Sequence, residues 1–90
     1  MAAYVKIGGY AEVVAAPLAT TMALPDELDF NQGAAVAMNF QTVHFALARR
    51  GRVKAGEHVL VHGAAGGIGT AAIQVAKGLG ARVTAVVDAR

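Results

Sequence analysis

The stretch Val59-Leu60-Val61-His62-Gly63-Ala64-Ala65-Gly66-Gly67-Ile68-Gly69 decides the fold. A short continuous apolar run reads as a strand buried on both faces, and here it passes directly into a cluster of glycines. Beyond the glycines, Ile68, Ala72, Val75, Ala76 and Leu79 recur at i, i+4, i+7, i+8 and i+11. That spacing predicts a helix with one apolar face that packs on a sheet. Gly78 and Gly80 mark its end, and residues 83–87 read as a second strand rich in β-branched side chains. Strand, helix and strand within about 30 residues is the size of a βαβ crossover. The fold class is therefore α/β, with the first βαβ unit of a doubly wound parallel sheet of Rossmann type.

This order is also what a phosphate-cradling turn requires. Glycines let the chain bend tightly and let a pyrophosphate approach the backbone, while the helix N-terminus offers unpaired N–H groups and the positive end of its dipole. Two registers fit. Ala64-x-Gly66-x-x-Gly69 is the dinucleotide fingerprint with alanine in place of its first glycine, and Gly63-x-x-x-Gly67-x-Gly69 has the spacing of short-chain dehydrogenases. Both put phosphate at the helix start. The competing reading is a packing turn without a ligand, but glycines at 66, 67 and 69 exceed what a turn alone needs. Asp88 follows Gly69 by 19 residues, near the distance at which a carboxylate accepts hydrogen bonds from ribose hydroxyls. Arg90 is equally suited to a 2′-phosphate, and both charges also fit a plain solvated loop.

Upstream, residues 10–15 and 20–23 read as two strands, with Gly8-Gly9 as a turn before them and Leu24-Pro25-Asp26 closing the segment. Asp29 is placed to cap a helix, with Gln32 reaching back as in a capping box. The helical pattern, carried by Phe40, Val43 and Leu47, runs to Arg50 with a break expected near Met38-Asn39, and Gly51 stands where a left-handed terminating residue is usual. Arg49, Arg50, Arg52 and Lys54 gather at that helix end, where cations complement the helix dipole and stay solvated. Lys54-Ala55-Gly56-Glu57 reads as a surface turn.

Composition narrows the classes. With 56% hydrophobic and 16% charged residues, the 90-residue chain has the apolar content of a folded domain rather than of a disordered one. A net charge of +2 gives no footing for nucleic acid. The absence of cysteine excludes disulfides and thiolate metal sites, and the absence of serine excludes serine nucleophiles from this stretch. No apolar run reaches the roughly 18 residues of a membrane span, so a cytoplasmic location and no membrane partner are expected. His44, His58 and His62 have no acidic partner at ligand spacing and read as structural. Asn39 and Thr42 are, from their chemistry alone, ordinary helix polar groups.

The order of motifs carries more than any one of them. Leu24-Pro25-Asp26, Gly33-Ala34-Ala35, Thr42-Val43-His44, Lys54-Ala55-Gly56-Glu57, Val59-Leu60-Val61-His62 and the glycine turn resemble, in sequence, the medium-chain dehydrogenase/reductase superfamily, specifically its zinc-free quinone oxidoreductase (zeta-crystallin-like) branch. The resemblance favours the medium-chain register of the glycines, because 61 residues precede His62 and the Tyr-x-x-x-Lys pair of short-chain enzymes is missing.

The resemblance implies a cofactor site made of Ala65, Gly66, Gly67, Ile68 and Gly69, whose backbone faces the pyrophosphate of NADP. Thr42 matches a threonine beside the nicotinamide, Asn39 lies near it, and Asp88 and Arg90 stand at the ribose end, where Asp88 makes NAD an alternative. It further implies hydride transfer to a quinone or other conjugated carbonyl, and a homodimer when full-length. Residues 1–28 correspond to the last strands of a GroES-like catalytic domain and 29–90 to connecting helices and the start of the NAD(P)-binding domain. On that reading the chain is a central fragment, inactive alone. The alternatives are a non-catalytic nucleotide-binding remnant, a structural piece that binds nothing, and part of a zinc-dependent alcohol dehydrogenase.

Overall fold

A computed structural model describes residues 1–89, in two compact units, Met1–Met38 and a second that begins at Asn39. In the first unit, strand β1 (Ala2–Ala3) pairs antiparallel with β2 (Thr21–Met22), with Ala2 opposite Met22 and Ala3 opposite Thr21. The Tyr4 amide extends the ladder by donating to the Thr20 carbonyl at 2.9 Å. Thr20 and Thr21 lie at the end of a 3₁₀ turn, Leu18–Thr20; the Thr21 hydroxyl donates to the Pro17 carbonyl at 2.9 Å and the Thr20 hydroxyl to the Tyr4 carbonyl at 2.9 Å.

The strand expected over 20–23 thus exists in shortened form, but the one expected over 10–15 does not. That segment is irregular, with Tyr10 and Val13 exposed, and no neighbouring strand pairs with it among the described residues. β-forming side chains make a strand only where a ladder accepts their backbone groups. The partner β2 finds instead is the N-terminal β1.

Helix α1 (Phe30–His44) begins with the expected capping box. The Asp29 carboxylate accepts from the Gln32 amide at 2.7 Å, and the Gln32 side-chain oxygen accepts from the Asp29 amide at 3.0 Å. The break expected at Met38-Asn39 is absent, and α1 runs through it. Helical structure then widens into a π-helical stretch, Phe45–Arg50, where Gly51 N–H reaches the Ala46 carbonyl at 2.7 Å. Gly51 is not the left-handed terminator: its φ is −73°, and Arg52 takes that conformation at φ 52°. The wide turn carries the chain one residue further before it reverses.

The second unit holds β3 (His58–His62), α2 (Gly67–Gly78) and β4 (Arg82–Val86). β3 and β4 are parallel, from His58 opposite Arg82 to His62 opposite Val86, and α2 is their crossover. The second strand lies one residue earlier than expected. Val43, Val61, Ala64, Ala71 and Ala72 form the core, flanked by Phe40, Leu47, Val59, Ile73, Val75 and Val83. The face of α2 turned to the sheet is Gly69, Ala71, Ala72 and Ala76, so Ile68, expected on it, stands 49% exposed in the first turn. Leu60 is likewise 57% exposed rather than buried. Side chains alternate along a strand, so Val59 and Val61 meet the helices while Leu60 points to the opposite face of the sheet, which no helix of the described residues covers.

Candidate functional site

The glycine turn leaves β3 at its carboxyl end. Gly63 takes φ 63°, a left-handed conformation that a side chain disfavours, and its carbonyl accepts the Gly66 amide at 3.0 Å. The buried Ala64 donates its amide to the Val86 carbonyl at 3.0 Å, which ties the turn to the end of β4. Both anchors hold the turn at the carboxyl edge of the parallel strands, where ligands of open α/β sheets bind.

Gly66 is the N-cap of α2, in extended conformation and with no side-chain capping bond. The first intrahelical bond is from the Thr70 amide to the Gly66 carbonyl at 2.8 Å. The amides of Gly67, Ile68 and Gly69 therefore lie ahead of the helical ladder, at the positive end of a 12-residue helix with no acidic residue in its first turn. This is the electrostatic arrangement that accepts an anion.

The glycines divide by what surrounds them. A Cβ at Gly69 would collide with the Gly63 carbonyl oxygen and lie 2.6 Å from Ala64 Cα, so this position is set by backbone packing of turn against helix. A Cβ at Gly67 would lie 2.7 Å from Asn39 Nδ2. At Gly66 the nearest atom, the Gly63 oxygen, is 3.4 Å away, and the backbone conformation there is open to any residue. The backbone demands glycine at 63, by its φ, and at 69, by its packing; at 67 the obstacle is the movable end of the Asn39 side chain, and at 66 there is none. Open space beside Gly66 and three amides ahead of the helical ladder at an uncapped helix start are what a pyrophosphate requires, and the cradle fits one on that ground.

The structure brings Ala65, Gly66, Gly67, Ile68 and Gly69 together in one turn and first helical turn, and adds Asn39 from α1 through its contact with Gly67. Thr42 follows Asn39 by three residues, on the same side of α1. Asp88 lies two residues past the end of β4, at the same edge of the sheet as the glycine turn. Arg90 lies outside the described residues. His58 Nε2 lies 2.7 Å from Thr84 Oγ1 across the strands. Among the described residues, no three His, Asp or Glu side chains converge as metal ligands, and no helix is long and apolar enough to cross a membrane.

Sequence reasoning missed Thr70. Its single hydroxyl proton is shared between the carbonyls of Gly66 (2.9 Å) and Gly67 (3.1 Å), holding the cap in place from one turn below. Threonine four residues after an N-cap glycine was the available signal.

An extended strand, a glycine turn and a helix crossing to a parallel strand define a βαβ unit of the doubly wound α/β class. No family profile matches the chain. The quinone oxidoreductase of Pongo abelii is 51% identical over 76 residues, which cover 84% of this chain and 23% of that protein. The structure of a probable oxidoreductase from Mycobacterium abscessus superposes with a TM-score of 0.88 at 57% identity, over 94% of this chain and 28% of that one. The quinone oxidoreductase of Thermus thermophilus, determined also in complex with NADPH, superposes with a TM-score of 0.84 at 46% identity, over 92% and 28% of the two chains. The chain belongs to the medium-chain dehydrogenase/reductase superfamily, and within it to the quinone oxidoreductase branch. It spans about a quarter of the length of these relatives.

Proposed function

We propose that this chain supplies the pyrophosphate-binding section of an NADPH-dependent reductase that delivers hydride to a quinone or another conjugated carbonyl. The observation that carries the proposal is Gly66: an uncapped helix N-terminus at a glycine whose place neither backbone conformation nor packing requires. Relatives named quinone oxidoreductase, one of them solved with NADPH, support the cofactor and substrate classes.

When bound, the nicotinamide ring supplies the hydride. The chain's own residues bind and orient. Backbone amides of Gly67, Ile68 and Gly69 hold the pyrophosphate, with Ala65 and Gly66 forming the open wall of the cradle. Asn39 and Thr42 line the cofactor from α1, Thr42 toward the nicotinamide. Asp88 stands toward the adenosine ribose, where the carboxylate leaves room for NAD as an alternative cofactor, and the family resemblance assigns Arg90 to the same end of the cofactor. Residues 1–28 fall to the tail of a GroES-like catalytic domain and 29–90 to the connection and cofactor domain. The intact enzyme is read as a cytoplasmic, zinc-free homodimer. A second reading, a nucleotide-binding piece without turnover, draws on the share of the relatives that the chain spans, 23% of the Pongo abelii protein.

Titration with NADPH and NADH, followed by cofactor fluorescence, tests the binding claim. Saturable binding of either below about 1 mM is expected, an affinity of only a few kcal/mol. Silence with both sinks the cofactor claim. NADPH oxidation with a soluble quinone, run on the same chain, separates enzyme from remnant, and no turnover is expected without the rest of the pocket.

A further inference from the structure

The contact between Asn39 and Gly67 joins a helix that precedes the βαβ unit to the first turn of the helix that carries the cradle. The Asn39 amide nitrogen occupies the space of a side chain at position 67, 2.7 Å from where its Cβ would be, and the Asn39 oxygen is 3.8 Å from that point. The residue is half-buried. A donor so placed stands beside the first turn of α2, whose leading amides have no acceptor within the helix.

We propose that the Asn39 carboxamide is itself part of the anion cradle, donating to the ligand's pyrophosphate from the space that a side chain at position 67 would fill. This rests on the cofactor reading above and specifies it. The glycine at 67 then has a definite reason: its missing side chain admits a donor from α1. Backbone amides alone would give a cradle contained within one helix. Asn39 makes the cradle a joint product of α1 and α2, so anything that shifts α1 relative to this turn alters anion affinity.

Two measurements test it. In the first, Asn39→Asp keeps the shape of the side chain and its fit against Gly67, but replaces the donor with a negative charge. NADPH and NADH affinities are expected to fall together, about 10-fold to 100-fold, because the pyrophosphate is common to both. Asn39→Asp binding both dinucleotides as the parent does overturns the proposal while leaving the cofactor reading intact. If the parent chain binds neither dinucleotide, the cofactor reading fails and this inference falls with it.

The second measurement needs no cofactor. Urea melts of Gly67→Ala, Asn39→Ala and the double variant form a cycle. Gly67→Ala is expected to lower the midpoint in the Asn39 background and to recover most of the loss beside Asn39→Ala. Strict additivity means that the two residues do not share this space, and the proposal is wrong.

Discussion

The carbonyl oxygen of Gly63 stands where the side chain of residue 69 would begin. The clash is between backbone and backbone, with Ala64 Cα 2.6 Å and Ala64 C 2.8 Å from the same point. Neither group can rotate away, since both are held in the turn by the Gly66-to-Gly63 and Ala64-to-Val86 hydrogen bonds. Glycine at 69 is thus a condition for the helix to start where it does, with or without a ligand.

Gly69→Ala is accordingly expected to destabilise the fold by about 1–3 kcal/mol, the usual cost of forcing atoms into a packed site. Urea denaturation followed by circular dichroism measures it. An unchanged midpoint contradicts the close approach.

Gly66→Ala separates binding from folding. Its Cβ has room, with nothing nearer than 3.4 Å, so stability should move by no more than about 0.5 kcal/mol. NADPH affinity, read by fluorescence titration, should drop about tenfold or more as the methyl blocks the approach to the cradle. Full retention of affinity would remove the observation on which the proposed function rests.

Asp29→Ala removes one arm of the capping box and leaves the Gln32 amide without its 2.7 Å acceptor. A loss of about 1 kcal/mol is expected, with reduced helical signal from α1. Gln32→Ala removes the longer, 3.0 Å arm and should cost less. Equal stability of parent and Asp29→Ala would show that the cap contributes nothing.

Asp88→Asn addresses cofactor choice. A carboxylate at the ribose end repels a 2′-phosphate, so neutralising it should raise the NADPH-to-NADH affinity ratio, by about fivefold to tenfold at close range in a solvated site. A ratio that does not move places Asp88 away from the ribose.

Local signals explain what the sequence discloses. The span of β3, the glycine turn, the capping box of Asp29 and Gln32, and the turn at residues 54–57 depend on neighbours a few residues apart, and all occur as read. Residues 10–15 fail because a strand is a relation between two segments, and one segment's β-propensity says nothing about its partner. Leu60 fails for a similar reason: an apolar run reports a strand's composition, not which of its faces is covered. The cradle was half legible. Its glycines announce an anion site, yet the fact that Gly69 serves packing, Gly67 admits Asn39 and only Gly66 lies open depends on contacts across 28 residues of chain or on turn geometry. No pattern in the residues around Asn39 marks it; only the family resemblance does.

Helix α2 meets its sheet through Ala71, Ala72 and Ala76, and a methyl group has no rotamer to change. Larger core side chains absorb a small displacement by rearranging; these cannot. Where these methyls meet the core, the separation of helix and strand is therefore set by backbone and Cβ atoms alone, with Ile73 and Val75 filling the flanks. The glycine turn is held at a distance from β3 that no change of side-chain rotamer at those positions adjusts.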